Sequence, residues 1–258
     1  MTGPGPTLHG PQVSGPPVVV LDEIDSTNAE ARRRAEAGEA GPVWIVGLRQ
    51  TAGRGRRGRA WETGAGNLAA TLLFSTDKPP GEAAQVSFVA ALAVADLLAA
   101  YVPASLVSLK WPNDPLLGGL KVSGILVESG TRPTGGLWIA VGVGVNLARK
   151  PIDSERPATA LTTYRDAPSP SPIEAIEILA AAFARWQDVW LRLGFPAIAD
   201  AWTARAHGLG ERCVARLGTE TLEGIAEGLD ADGALRLRLA DGHLRRVTAG
   251  DVFFGEAS

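Results

Sequence analysis

A chain of 258 residues with 45% apolar and 21% charged residues suits one large globular domain, or one with a small appendage. That length buries roughly three quarters of the unfolded surface. A net charge of −3 excludes a polycationic nucleic-acid binder, and the single cysteine, Cys213, excludes an intrachain disulfide and points to the reducing cytoplasm. The opening "MTGPGPTLHGPQVSGPP" lacks the basic start and apolar core of a signal peptide, and its Pro and Gly density predicts a disordered lead-in over 1–17. "VVVLDE" (18–23) reads as a strand, and "STNAEARRRAEAGEAG" opens a helix. Thr27 and Glu30 have the spacing of a capping box there, and Gly38 or Gly41 ends the helix. "VWIVGL" (43–48) and "NLAATLLF" (67–74) are buried strands on either side of an arginine-rich loop. The segment 82–102 is apolar all round, which predicts a helix under the sheet. Asp96 interrupts its most apolar part and Pro103 stops it, so it reads as a core helix and not a membrane span. "LVSLK" (106–110), "KVSGILVES" (121–129) and "LWIAVGVGVN" (137–146) are further strands, the last two joined by a turn at "SGTRPTGG". After the connector "APSPSP" a long helix starts at 172, with Ile173, Ile176, Ala180, Phe183 and Trp190 recurring at three- and four-residue steps. Beyond His207 short alternating strands punctuated by "DADG" and "ADGH" predict a small β-barrel over 210–258, too small to carry much chemistry alone.

Residues 53–58, "GRGRRG", satisfy the glycine spacing of a dinucleotide-binding turn. That turn needs a helix starting at the glycines, so that its dipole meets a pyrophosphate. "RAWETGAGN" follows instead, with more glycines and no apolar period, and a lone match of this kind is weak. An inert basic loop is the plain alternative. Yet Arg49, Arg54, Arg56, Arg57 and Arg59 form a block with no acid between 49 and 61, in an acidic protein. A flexible cationic loop that closes over a phosphate-bearing ligand accounts for both glycines and charge. Such a loop is expected to be open and mobile while no anion is bound.

"KWPNDPLLGGLKVSGILVES" (110–129) reads as strand, turn and strand, with Pro112, Asn113 and Asp114 in the turn. Lys110 and Lys121 end apolar strands, where a lysine needs a partner or a wet cleft. Facing a basic loop, they suit an anionic carboxylate or phosphate, although an ordinary hairpin gives the same pattern. "VGVGVN" (141–146) carries glycines at alternate strand positions, consistent with a flat ligand against the backbone or, equally, with a bulge. Cys213 lies away from all these motifs and reads as a small core residue. His9, His207 and His243 lack metal-ligand spacing, so no protein-bound metal is expected.

"DSTNAEA", "RQTAGRGRRGRAW", "GNLAATLL", "KWPNDPLLGGLKVSGILVE" and "VGVGVNL", in that order, resemble the biotin protein ligase family. The match spans about 22–148, and the small C-terminal β-domain also fits. The resemblance implies an α+β fold, a mixed sheet with flanking helices of the class II synthetase and biotin–lipoate ligase type over 18–209, followed by an SH3-like barrel. It implies joining biotin to ATP as biotinyl-5′-adenylate, then transfer to a lysine of a biotin carboxyl carrier domain, with Mg²⁺ brought by ATP. By similarity Arg54, Gly55 and Arg56 cover the biotin carboxylate and the phosphates, with Lys121 where carboxylate meets α-phosphorus. Arg54, Arg56 and Lys121 are thus the expected catalytic groups. Ser26, Thr27, Asn28 and Gln50 match positions that hold the ureido head, and Gly124, Gly142 and Gly144 those that wall the bicycle. Arg57, Trp61, Asn113 and Asn146 match the nucleotide side, with Trp61 stacking on adenine. Thr27 as a helix cap and the asparagines as turn formers remain open alternatives. With seventeen residues ahead of the first strand, a form without DNA binding is expected, acting off the membrane as a monomer or weak homodimer. A lipoate ligase of the same fold, or an arginine–glycine RNA-binding module, is the alternative function.

Overall fold

The computed structural model describes residues 15–152 and 157–255; most of the expected lead-in, including His9, lies outside them. β1 (Val18–Leu21) runs parallel to β2 (Val43–Gly47), and α1 (Thr27–Glu36) makes the crossover between them. β3 (Leu68–Thr76) pairs antiparallel with β2. α2 (Pro80–Ala83) and α3 (Val86–Ala99) follow, divided near Gln85 where a single helix was expected over 82–102. The "KWPND" stretch is a three-stranded meander: β4 (Val107–Lys110), β5 (Asp114–Leu117) and β6 (Leu120–Lys121). The expected hairpin left out β5, because the turn is confined to Trp111–Asn113 and a second turn at Gly118–Gly119, both at positive φ, returns the chain. β7 (Ser123–Thr131) and β8 (Leu137–Val145) complete a mixed sheet of order β1-β2-β3-β8-β7.

Strand alternation gives this sheet two different faces. On one side Trp44, Val46, Leu72, Ile139, Val141 and Val143 join α3 in the main core. On the other, Val43, Ile45, Leu73, Trp138 and Ala140 pack on Ala31 and Ala35 of α1. α1 covers only part of that second face: continuing the Trp138–Ala140 row, Gly142 lies under Asn28 at its start and Gly144 beyond it. α3 is apolar all round because it is covered all round, by the sheet, by α4 (Pro172–Leu193) and by α5 (Phe195–Thr203). By composition Pro80–Ala99 could cross a membrane, but most of it is buried here. Edge-to-face contacts of Phe183 on Trp44 (5.7 Å) and of Phe88 on Phe195 (5.3 Å) and Trp202 (5.6 Å) lock the helices to the sheet. The start of α4 is fixed by a capping box between Ser171 and Glu174.

At α1 the expected capping box between Thr27 and Glu30 does not form. Ser26 is the N-cap and makes no side-chain cap bond, while Glu30 pairs with Arg33 and Arg34. Gly38, at φ 95°, follows the end of that helix. After α5, β9 (Arg212–Arg216), β10 (Thr221–Leu229), β11 (Leu235–Arg238), β12 (Leu244–Val247) and β13 (Asp251–Phe254) form a small SH3-like antiparallel sheet. Its order is β12-β11-β10-β9-β13, and no pairing of β12 with β13 closes it into a barrel among the described residues. Its inner residues Cys213, Ala215, Ala226, Leu235, Leu237 and Val252 belong to the same apolar cluster as α3 and α5. Trp111 Nε1 donates to Gly233 O (3.0 Å) across the junction.

Candidate active site

A cavity of about 380 Å³ occupies the part of the sheet face that α1 leaves uncovered. At one end stand Ser26, Thr27 and Asn28 from the start of α1, and Gln50 just after β2. Thr27 N, a helix-end donor without an intrahelical partner, donates to Gln50 Oε1 at 2.9 Å. Gln50 Nε2 donates to Thr63 Oγ1 at 2.9 Å, so the Gln50 amide is held at both ends. Buried Thr71, on β3, donates to Asn28 Oδ1 (2.7 Å) and lies 2.8 Å from Thr27 Oγ1. Asn28 Nδ2 then donates to Glu128 Oε2 at 2.7 Å. The Ser26 hydroxyl, with no capping bond, lines the cavity beside these groups.

The floor comes from paired glycines. Gly124 of β7 lies opposite Gly144 of β8, and Gly142 lies between Thr71 and Leu126. A Cβ on Gly144 would stand 2.3 Å from the Trp61 ring, and one on Gly124 2.9 Å from it. A Cβ on Gly142 would stand 2.1 Å from Asn28 Oδ1. These glycines therefore make room for protein side chains, with Trp61 laid flat over two of them; the resemblance gave that floor to the biotin bicycle and Trp61 to adenine.

At the other end lies the arginine loop, a narrow hairpin. Trp61 N donates to Gly53 O (2.9 Å) and Gly55 N to Arg59 O (2.7 Å), with one 3₁₀ turn at Arg56–Gly58. No helix follows it, which removes the dinucleotide reading. A Cβ on Gly53 would stand 2.3 Å from Trp61 O, so this position needs glycine. The arginine charges are not left to repel each other, because acids distant in sequence meet them. Arg54 lies 3.7 Å from Glu128, and Arg57 and Arg59 lie 3.3 and 2.6 Å from Asp251 of β13. Arg56 Nη1 donates to Asn113 Oδ1 at 3.0 Å. Arg57 itself, at φ 57°, points at Asp251 and does not line the cavity.

Between loop and floor, Asp114 is buried (3% exposed) and takes both Lys121 (2.5 Å) and Lys110 (3.1 Å). The one carboxylate thus holds two ammonium groups in place. Across the cavity lining, Arg54, Arg56, Arg59 and Lys121 face Glu62, Asp114 and Asp251. Such a site attracts anions without the cost of an uncompensated buried cluster. Asn113 Nδ2 donates to Ile125 O and Asn146 Nδ2 to Thr159 O, so both asparagines also brace the backbone.

Every site residue expected from the sequence lines this one cavity, except Arg57. Thr71, Asp114, Glu128 and Asp251 were missed. Asp114 stood in the "KWPND" motif and was read as a turn former; Asp251 carries no local signal at all.

The Biotin/lipoate A/B protein ligase family model matches residues 20–146, and the Biotin protein ligase C terminal domain model matches residues 208–255. The chain is 45% identical over 241 residues to the Biotin--[acetyl-CoA-carboxylase] ligase of Paracoccus denitrificans, covering 92% of this chain and 100% of the relative. It is 30% identical to the Bifunctional ligase/repressor BirA of Escherichia coli, over 93% of this chain and 75% of the relative. The biotin protein ligase from Aquifex aeolicus in complex with biotin and ATP superposes with a TM-score of 0.78 at 25% identity, covering 92% and 99% of the two chains. The chain belongs to the biotin protein ligase family, and its enzyme class is ligase.

Proposed function

We infer that the cavity joins the carboxylate of biotin to the α-phosphate of ATP, releasing pyrophosphate, and that the biotinyl group then passes to a lysine of a carboxylase carrier domain. One observation carries this reading: a single cavity has a neutral hydrogen-bonding end, a flat floor and a cationic end. The ureido head of biotin has a carbonyl acceptor and two N–H donors. Ser26, Thr27 and Asn28 at the start of α1, with Gln50 just after β2, supply matching groups. The hydrocarbon tail then runs past Trp61, which covers the glycine floor, toward Lys121.

Two anions must meet there, which requires fixed positive charge where the new bond forms. Lys121, set by Asp114, is a compact charge for the oxygen shared between carboxyl and phosphorus. Arg54 and Arg56 offer planar forks for the outer oxyanions. Trp61 presents a flat ring for a base or the bicycle. The carboxylate attacks phosphorus, the bond to the pyrophosphate oxygen breaks, and that oxygen leaves with the electron pair. Among the described residues no three His, Cys, Asp or Glu side chains cluster as a metal site would need, and the two cavity aspartates serve cations already. Mg²⁺ fits here as a companion of the ATP phosphates. The free Cys213 thiol fits a reducing, cytoplasmic setting.

Pyrophosphate release on mixing the protein with MgATP and biotin tests the reading. Release with biotin, and none with lipoate, is the expected outcome. Equal release with lipoate would move the assignment to the other branch of the family. Lipoate has no ureido group, so it gains nothing from the hydrogen-bonding groups at that end of the cavity.

A further inference from the structure

A second cavity, of about 260 Å³, lies on the other side of a thin wall from the first. The two share Arg56, Asn113 and Ile125, so the Arg56–Asn113 hydrogen bond stands between them. The second cavity is walled by Phe88, Trp111, Pro112, Ile125, Val127 and Ala234, and so lies between α3, the edge strand β7 and the C-terminal sheet. Resting on the biotin-ligase reading above, we propose that this cavity is the passage by which the acceptor lysine reaches the activated carboxyl group, with the Arg56–Asn113 pair as its gate.

Three observations support this occupant over others. First, the volume falls below the roughly 300–1,000 Å³ of small-molecule pockets, which fits one side chain and not a nucleotide. Second, Phe88, Trp111, Pro112, Ile125, Val127 and Ala234 offer apolar surface for a lysine stem, and Gln85, Ser87 and Thr248 add uncharged polar groups along it. The only ionic groups of the walls are Arg56 and Asp232, and Asp232 pairs with Arg246, so a pyrophosphate would find one cation here. Third, of the arginine loop only Arg56 borders the second cavity, which reaches Val127 of the edge strand β7, beyond the β7 residues that line the first.

The gate gives an order of events. An anionic adenylate in the first cavity gives Arg56 a charge-assisted acceptor, which draws its guanidinium away from the Asn113 amide. When Arg56 turns to it, the passage opens. The neutral Nζ attacks the acyl carbon, an N–C bond forms, and the C–O bond to AMP breaks with AMP keeping the electron pair. The surplus proton on nitrogen goes to solvent. Before the adenylate exists, the passage stays shut.

The test fills the cavity from opposite walls with Ser87→Trp and Thr248→Trp, neither residue being part of the first cavity. Ser87 is half-buried and Thr248 exposed, so both variants should fold, as checked by Tm. Adenylate formation without carrier should stay within about twofold of wild type in both. Transfer to the carrier should lose at least tenfold in kcat, with little change in carrier KM. Hydroxylamine, a nucleophile with no stem, should cleave the adenylate at the wild-type rate. Undiminished transfer overturns the proposal. So does an equal fall in adenylate formation, which would give the cavity to ATP or pyrophosphate, and so does a change in carrier KM alone, which would make it a docking surface. Absence of adenylate in the wild-type enzyme would instead refute the biotin-ligase reading.

Discussion

Lys121 and Asp114 set the chemistry at the scale of single residues. Lys121→Ala should remove about 3 kcal/mol or more of transition-state stabilisation, as loss of one oxyanion donor does. Folding should change little, because Lys110 still satisfies Asp114. Adenylate formation at the wild-type rate would take Lys121 out of the mechanism. Asp114→Ala should behave differently: it removes the buried carboxylate that Lys121 and Lys110 share and should cost stability of about 3–5 kcal/mol as well as activity. Urea denaturation of the two variants separates the roles. Cys213 is the converse case, a reactive residue type without reactivity. Burial pushes its thiol up to about 11, so it stays protonated at pH 8. Alkylation at pH 8 should therefore await unfolding, and rapid labelling of the native protein would contradict this. The lysines, arginines and strand glycines were legible from charge and spacing alone. Their carboxylate partners were not, because Asp114–Lys121 is a contact across a turn and Asp251–Arg59 one across most of the chain.

Among the elements, the arginine loop departs most from its sequence. Glycines and like charges predicted a segment open until a ligand arrives. The structure shows a hairpin held by Asp251, Glu128 and Asn113, since a string of arginines carries no record of distant acids. The Arg54–Glu128 pair is half exposed and contributes modestly, whereas Arg57 and Arg59 meet a buried carboxylate in Asp251. Arg57 sits in the left-handed region, at a cost of about 1–2 kcal/mol that its contact with Asp251 helps to offset. Asp251→Ala should thus speed tryptic cutting at Arg57 and Arg59 in the ligand-free protein, and biotin with ATP should restore protection. If cutting is the same in variant and wild type, the aspartate does not restrain the loop. The helices were easier to foresee: α4 and α3 follow from apolar period and from unbroken apolarity, properties a chain carries locally. β5 was hidden because Asn113, Asp114 and Pro115 look like turn residues one by one.

For the whole molecule, the continuous core joins the C-terminal sheet to the helices, although the sequence suggests a separable appendage. Truncation near Gly210 would bare Phe88, Trp111 and Trp202 together. The shortened chain should lose solubility and its sharp melting transition, while the full chain melts in one step. Two independent calorimetric transitions in the full chain would show that the shared core does not couple the two parts.

The burial of α3 also has a consequence in time. Translation at about 5–20 residues per second finishes α3 some 5–20 s before α4 and α5 exist to cover it. During that interval the nascent chain displays a helix with the composition of a membrane span. Ribosome-bound chains arrested near residue 150 should be cut readily within α3 by chymotrypsin, and chains extended past Thr203 should resist it.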